Sequence, residues 1–133
     1  MTLADFERIP ELRKLMAFEL NEVSNCHEQA TNITAHITGM PGGGVVGSKI
    51  ENAVVRAETH YARYCKYCDE LKDIFARLNK ESAKLTDEQR EVIDMYYPQN
   101  LRVGKIAEKM GLSERHVFRL KKEAIAVLCD FLP

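Results

Sequence analysis

Basic side chains are concentrated in one short window of the chain. Residues 102–122 carry seven Lys or Arg and two Glu side chains, a net charge of +5, whereas the whole 133-residue chain has a net charge of −1. A local cluster of cations on a nearly neutral protein is typical of a surface that binds nucleic-acid phosphates. A solvated helix face is the alternative interpretation, and charge alone does not separate the two.

The apolar spacing in the same window predicts a helix-turn-helix. Ala107 is small enough for two helices to cross closely, and Gly111 can adopt the left-handed conformation that ends the first helix. Leu112 is expected to fold back onto Ile106 or Ala107 and close the corner. Ser113 is a good N-cap for the second helix.

The second helix, predicted from Ser113 to about Phe131, separates apolar from basic residues. Helical spacing turns three apolar residues inward: Val117, Leu120 and Ala124. It turns three basic residues outward: Arg115, Arg119 and Lys122. An amphipathic helix with a basic outer face, following a tight turn, is typical of a helix that reads the DNA major groove.

This motif lies in a predicted C-terminal module of three helices over residues 85–133. Thr86 and Gln89 form a capping box that opens the first helix, and Pro98 ends it. A short helix from Val103 to Met110 precedes the recognition helix. The polar residues 81–84 are interpreted as a linker.

Residues 1–80 predict an antiparallel helical hairpin that resembles a coiled coil, so the fold class is all-α. Apolar residues alternate at spacings of four and three along the second helix: Ile50, Val54, Ala57, Tyr61, Tyr64, Cys68, Leu71, Phe75 and Leu78. A looser seam marks the first helix, with Pro10 near its start: Ile9, Leu12, Met16, Leu20, Val23, Cys26, Ala30, Ile33 and Ile37. Ser48 is expected to cap the second helix. Tyr61 and Tyr64 are predicted to pack in the seam, and Tyr67 to be exposed.

The Gly-rich segment 39–47 is predicted to be the hairpin loop. Its sequence GGGVVGSK approaches a phosphate-binding loop, but Ser48 and Lys49 stand in the reverse order and no strand precedes them. We therefore interpret it as a hinge and expect no bound cofactor. Cys65 and Cys68 form a single CxxC inside a helical pattern, which favours core cysteines over a metal site.

Other classes of protein find little support in the sequence. The histidines are dispersed and no nucleophile has a recognisable context, so we expect no enzyme. The N-terminus does not resemble a secretory signal, and no apolar run is long enough to span a membrane. We therefore expect reduced thiols and a cytoplasmic location in a bacterial cell.

The run from Leu85 to Leu128 resembles region 4 of sigma-70-type transcription factors over nearly its whole length. The matching positions are Leu85, Arg90, Val92, Tyr97, Ile106, Ala107, Met110, Gly111, Leu112, Ser113, Val117, Ala124 and Leu128. The N-terminal half, with its MPGGGVVGSK loop, resembles small phage and prophage regulators of the ArpU/RinA type, which activate late or packaging genes. The resemblance implies binding to double-stranded promoter DNA and contact with RNA polymerase.

The resemblance also implies roles for eight residues. Ser113 would cap the recognition helix and touch a phosphate. Four residues would meet base edges or the adjoining backbone: Glu114, Arg115, His116 and Arg119. Three would contact phosphates: Arg102, Lys105 and Lys122. Phe118 departs from the family pattern, in which a polar or basic residue is common. It would touch a thymine methyl or pack against the helical hairpin, and we expect packing because buried aromatics usually belong to a core.

The expected function is a sequence-specific DNA-binding activator that works with host RNA polymerase. The chain lacks Trp and the aromatic-rich module that captures melted promoter DNA, so it is not expected to initiate transcription alone. Two alternatives stay open: a module that binds polymerase or a sigma factor without reading DNA, and a small terminase subunit for phage DNA packaging. If the apolar residues of the hairpin are all covered within one chain, a monomer is favoured. If some of them stay exposed, a homodimer is favoured.

Overall fold

Helices account for every regular element of the residues that the structure describes. The structure is a computed structural model that describes residues 1–37 and 44–130, with side chains except at 33–37 and 44–47. The α-helices are α1 (Leu3–Ile37), α2 (Gly44–Glu81), α3 (Asp87–Tyr96), α4 (Val103–Met110) and α5 (Glu114–Leu128), with a 3₁₀ turn at Ser82–Lys84 between α2 and α3. The predicted all-α class is confirmed.

The chain forms two compact units. We call Pro10–Leu71 the hairpin unit, and Met1–Ile9 with Lys72–Pro133 the C-terminal unit. The first boundary falls at Pro10, which lies inside α1 although its missing N–H removes an intrahelical hydrogen bond. The sequence had predicted Pro10 near the start of the helix.

The earlier start of α1 has a local cause. The Thr2 N–H donates to Asp5 Oδ2 at 3.0 Å, and the Asp5 N–H donates to Thr2 Oγ1 at 3.4 Å and to the Thr2 carbonyl at 3.1 Å, so backbone donors at the helix start are satisfied. These bonds with Thr2, together with the Arg77 guanidinium, hold the pKa of Asp5 below its usual value. Phe6 and Ile9 are buried, which anchors this first stretch of α1 within the C-terminal unit.

Two side-chain pairs show that α1 and α2 are antiparallel in the hairpin unit. Arg56 Nη2 donates to Gln29 Oε1 at 2.9 Å. One turn further along α2, His60 Nδ1 lies 2.5 Å from Glu19 Oε2, closer to the start of α1. Partner numbers therefore fall along α1 as they rise along α2, as the predicted hairpin requires.

The register of the hairpin differs from the prediction at one layer. Glu19 is only 4% exposed and pairs with His60, whereas the neighbouring Leu20 and Tyr61 are about half exposed. The predicted and the observed series of inward-facing residues both alternate at spacings of four and three. Apolar character alone therefore favoured Leu20 and Tyr61 over Glu19 and His60. The hydrogen-bonded pair instead turns one polar residue of each helix inward.

Other assignments on α2 change with this register. Buried or half-buried positions follow one heptad seam: Ala53, Ala57, His60, Tyr64, Tyr67 and Leu71. The prediction that Val54 packs in the seam is wrong, since it is 41% exposed. The prediction that Tyr67 is exposed is also wrong, because its side chain is half-buried.

The helix α2 begins at Gly44, four residues before the predicted cap at Ser48. The last part of the predicted loop 39–47 is therefore helical, and glycine is tolerated at a helix start. The remainder of that loop, residues 39–43, lies outside the described residues.

Cysteines contribute to packing, as predicted. Cys26 is buried, and Cys65, Cys68 and Cys129 are half-buried free thiols. Within residues 1–37 and 44–130, no group of three or more His, Cys, Asp or Glu side chains is arranged to hold a metal ion. Among those same residues, no helix combines the length and apolar character needed to cross a membrane.

One apolar cluster of the C-terminal unit is drawn from α3, α4 and α5. Its buried members are Val92, Ile106, Ala107, Val117 and Leu120. At its far end α5 stops at Leu128 instead of the predicted Phe131.

The segment predicted as a linker is part of this unit. Glu81 ends α2, residues 82–84 form the 3₁₀ turn and Ser82 is buried. Arg90 on α3 donates from Nε to the Ser82 carbonyl at 3.3 Å and from Nη2 to the Leu85 carbonyl at 3.4 Å. These hydrogen bonds hold the segment before α3 against that helix.

Candidate nucleic-acid interface

The turn between α4 and α5 has the predicted geometry. Gly111 has φ +67°, in the left-handed region, and its N–H donates to the Ala107 carbonyl. The Leu112 N–H donates to the same carbonyl at 3.0 Å, and the Leu112 side chain packs on the apolar cluster. A residue with a Cβ adopts this conformation at a cost, so glycine is the residue that the corner favours.

The start of α5 is capped as predicted. Ser113 has extended backbone geometry, and the His116 N–H donates to its Oγ at 3.2 Å. This bond satisfies one of the backbone donors that every helix start leaves unpaired. The cap and the preceding glycine together fix where α5 leaves the turn, and hence which side chains face outward.

The two faces of α5 are separated as the sequence predicted. The inward residues Val117, Leu120 and Ala124 are buried. The residues on the opposite face are exposed: Arg115, Phe118, Arg119 and Lys122. We call these four the recognition face, because helical spacing of three, four and seven places them side by side.

Four predicted DNA-contact residues come together at the start of α5. Ser113, Arg115, His116 and Arg119 line one shallow concavity of 220 Å³. Arg119 Nε lies 3.8 Å from Glu123 Oε1, a pair one turn apart. Exposed pairs of this kind contribute little to stability, so Arg119 can exchange Glu123 for a ligand.

The first turn of α4, next to the predicted residues Arg102 and Lys105, lies close to the start of α5. Arg102, the exposed N-cap of α4, makes no side-chain capping bond. Lys105 is exposed, with Nζ 3.7 Å from Glu108 Oε2. A Cβ built on Gly104 would lie 3.0 Å from Glu114 Oε1, so the Glu114 carboxylate lies over the first turn of α4. A carboxylate is favourable there because it faces the positive end of the helix dipole.

The expectation that Phe118 packs as a core residue is wrong. Its side chain is 54% exposed. Apolar character predicted burial, but position 118 lies on the side of α5 opposite the buried positions 117, 120 and 124. The exposed outer face therefore includes an aromatic residue as well as cations.

Sequence reasoning missed one organised cation and one concavity. Lys121 Nζ lies 3.8 Å from the centroid of the Tyr96 ring, a cation–π contact that no local pattern signals. A second concavity of about 240 Å³ lies elsewhere in the same unit and contains none of the predicted contact residues. It is lined by Phe75, Leu78, Asn79, Ser82, Arg90, Glu91, Ile93, Asp94 and Pro98. These residues come from separate segments, so only folding brings them together.

Comparison with known families agrees with this geometry. Residues 83–128 match the family model for sigma-70 region 4, so α3, α4 and α5 form a helix-turn-helix domain of that type. Sigma-70 region 4 is a DNA-binding domain found in sigma factors and other regulators. No curated protein and no solved structure matches the chain significantly.

Proposed function

We propose that this protein is a sequence-specific regulator of transcription that binds double-stranded DNA through α5. The observation that carries the proposal is the exposed recognition face on a capped helix, within a domain of the sigma-70 region 4 type. An α-helix fits the major groove, where each base pair presents a distinct pattern of hydrogen-bonding groups.

The eight predicted residues divide by the chemistry that each can offer. Arg115 and Arg119 carry guanidinium groups that can donate two parallel hydrogen bonds to guanine. The cations at Arg102, Lys105 and Lys122 suit phosphates, which position a protein on DNA without reading sequence. Ser113 and His116 border Arg115 in the concavity. Glu114, next to them at the start of α5, can accept from a cytosine amino group.

Within this proposal the protein is an activator that acts with host RNA polymerase in the cytoplasm of a bacterial cell, as phage late-gene regulators do. The supporting features are the region 4 domain and the N-terminal sequence resemblance. Run-off transcription with core polymerase, with and without a host sigma factor, tests whether this protein needs the sigma factor for initiation. We expect transcripts only when the sigma factor is present, and initiation without it would contradict the proposal.

We further propose that two copies associate through one side of the hairpin unit. Leu20, Val54 and Tyr61 are each at least 41% exposed. In antiparallel helices, residues one position after the paired Glu19 and His60 lie on the same side of the hairpin, which brings Leu20 and Tyr61 together. Apolar surface thus remains after the internal seam is filled, and a two-fold dimer would cover it and present two recognition helices.

The proposed function predicts that Arg115→Ala/Arg119→Ala abolishes sequence-specific binding. Each base contact of this type contributes about 1–3 kcal/mol, so we expect specific affinity to fall about a hundredfold or more. The assay is selection of bound fragments from random or source genomic DNA at near-physiological salt, followed by titration of the enriched site.

The matched control is Arg63→Ala/Lys66→Ala, which removes two exposed cations from α2. It changes net charge equally and should keep the enriched motif. If wild type enriches no motif, or the Arg115/Arg119 variant enriches the same one, the domain serves a protein partner and the proposal fails. A ring-sized oligomer by light scattering would instead favour a DNA-packaging subunit.

A further inference from the structure

Phe118 is the one apolar side chain on the recognition face. It is 54% exposed, with Arg115 one turn before it and Lys122 one turn after it. The other two adjacent helical positions are Glu114 and Lys121. A single exposed phenylalanine on a protein surface needs no explanation. Phe118 differs because it is flanked by Arg115 and Lys122 on the second helix of a helix-turn-helix.

The surrounding charges decide what kind of partner the ring can meet. Cations at three of its four adjacent helical positions favour an anionic surface, and DNA supplies one in its phosphates. Within the major groove the C5-methyl group of thymine is the apolar group that the bases present, and phenylalanine is among the side chains that contact it. A ring placed next to Arg115, whose guanidinium group seeks hydrogen-bond acceptors, therefore has an apolar counterpart in the same groove.

We infer that Phe118 is a specificity-determining residue that selects thymine by contact with its C5-methyl group. The inference rests on the proposed function, because it requires α5 to enter the major groove. It adds a preference for an A·T pair, with thymine on a defined strand, next to the base pairs read by Arg115 and Arg119. The helix then reads one base by its methyl group and its neighbours by hydrogen bonds.

The test removes the methyl group from the DNA and the ring from the protein, singly and together. Each thymine of the selected site is replaced in turn by deoxyuridine, which lacks only the C5-methyl group. Wild type should lose about fourfold in affinity at one or two positions, the effect of exposing one buried methyl group. Phe118→Ala should bind the thymine and deoxyuridine forms of those positions equally, and Phe118→Leu should keep part of the preference.

Phe18→Ala is the matched control. Phe18 is 56% exposed and lies on α1 in the hairpin unit, so its removal deletes an equally exposed ring away from α5. This variant should respond to deoxyuridine as wild type does. Where Phe118→Ala binds too weakly for titration, lower salt strengthens the phosphate contribution for every variant and keeps the comparison measurable.

Two results overturn the inference while leaving the proposed function intact. One is a wild type that binds its site specifically but tolerates deoxyuridine at every thymine. The other is a deoxyuridine effect of equal size in wild type and Phe118→Ala, in which case the methyl group is read elsewhere. If Phe118→Ala keeps DNA specificity and loses binding to RNA polymerase, the ring contacts protein. Failure of wild type to enrich any site would instead count against the proposed function itself.

Discussion

Gly111 sets the direction in which the recognition helix leaves the turn. Its φ of +67° is a left-handed conformation, and no heavy atom would lie within 4 Å of a Cβ added there. Space therefore permits a side chain at this position, and the constraint comes from the backbone itself. The requirement is local, which explains how the sequence could reveal it.

We predict that Gly111→Ala destabilises the protein by about 1–2 kcal/mol, the usual cost of a left-handed conformation for an alanine. Chemical denaturation monitored by circular dichroism measures the free energy of unfolding. Gly104→Ala is the control, because Gly104 lies in α4 and its added Cβ meets only the flexible end of Glu114 at 3.0 Å. Equal destabilisation by both substitutions would show that the backbone conformation of Gly111 is not the cause.

Glu114 links the two helices of the motif at their starts. Its carboxylate lies over the first turn of α4. A negative charge at that place opposes an approaching phosphate. It also faces the positive end of the α4 dipole, where backbone donors are unpaired.

We predict that Glu114→Gln strengthens non-specific DNA binding severalfold and reduces discrimination between sites. The reason is that the substitution removes a charge that repels phosphate while keeping nearly the same side-chain size. Titration with the selected site and with a scrambled duplex at several salt concentrations measures both effects. A fall in affinity for both duplexes would mean that the carboxylate supports binding through α4 instead.

At the scale of elements, the pair formed by Glu19 and His60 fixes how α1 and α2 meet. A buried polar residue at a core position of paired helices can specify register, because a shifted register leaves it without a partner. The apolar alternatives Leu20 and Tyr61 lie one residue away, so two registers compete in the sequence. The hydrogen-bonded pair of Glu19 and His60 occupies the buried layer in one of them.

We predict that His60→Leu destabilises the hairpin by about 3 kcal/mol, since it leaves the Glu19 carboxylate buried without a partner. Glu19→Leu should cost less, because the His60 side chain is 19% exposed and keeps access to water. The double variant Glu19→Leu/His60→Leu should recover most of the loss. Urea denaturation of the four proteins measures these differences, and a larger cost for Glu19→Leu than for His60→Leu would contradict this account.

At the scale of the whole molecule, the proposed function gives each chain one recognition helix, α5. A single helix reads few base pairs, and dimers extend the site by pairing two half-sites related by two-fold symmetry. The exposed apolar residues on one side of the hairpin unit make such a dimer the arrangement that we propose.

We predict that Leu20→Glu/Tyr61→Glu converts a dimer into a monomer and shortens the selected DNA motif to one half-site. Four glutamates at a two-fold contact would repel one another and bury charge. Sedimentation equilibrium measures the mass, and the control Phe18→Glu/Val55→Glu adds the same charge at exposed apolar positions on the same two helices. A monomeric wild type, or equal dissociation in the control, would refute this surface as the contact.

The helix-turn-helix could be predicted because its determinants are local. The conformation of Gly111, the cap at Ser113 and the alternation of Val117 with Arg115 each depend on residues within one or two helical turns. The positions of α3, α4 and α5 follow from these signals, and the capping box at Thr86 was found in the same way. The eight contact residues stay predictions. The structure shows that Ser113, Arg115, His116 and Arg119 line one concavity.

What only the tertiary structure decided depends on residues that are far apart in the chain. Whether Glu19 and His60 or Leu20 and Tyr61 occupy the buried layer depends on both helices, because the sequence of each helix alone is compatible with two registers. The joining of residues 1–9 to the C-terminal unit has no sequence pattern, because Phe6 meets Tyr97 only after folding, with ring centroids 5.2 Å apart. Hydrophobicity assigned Phe118 to a core, whereas burial is a property of the completed packing. The sequence therefore determined the local geometry of the helix-turn-helix. The packing of distant segments decided which side chains are exposed on its surface.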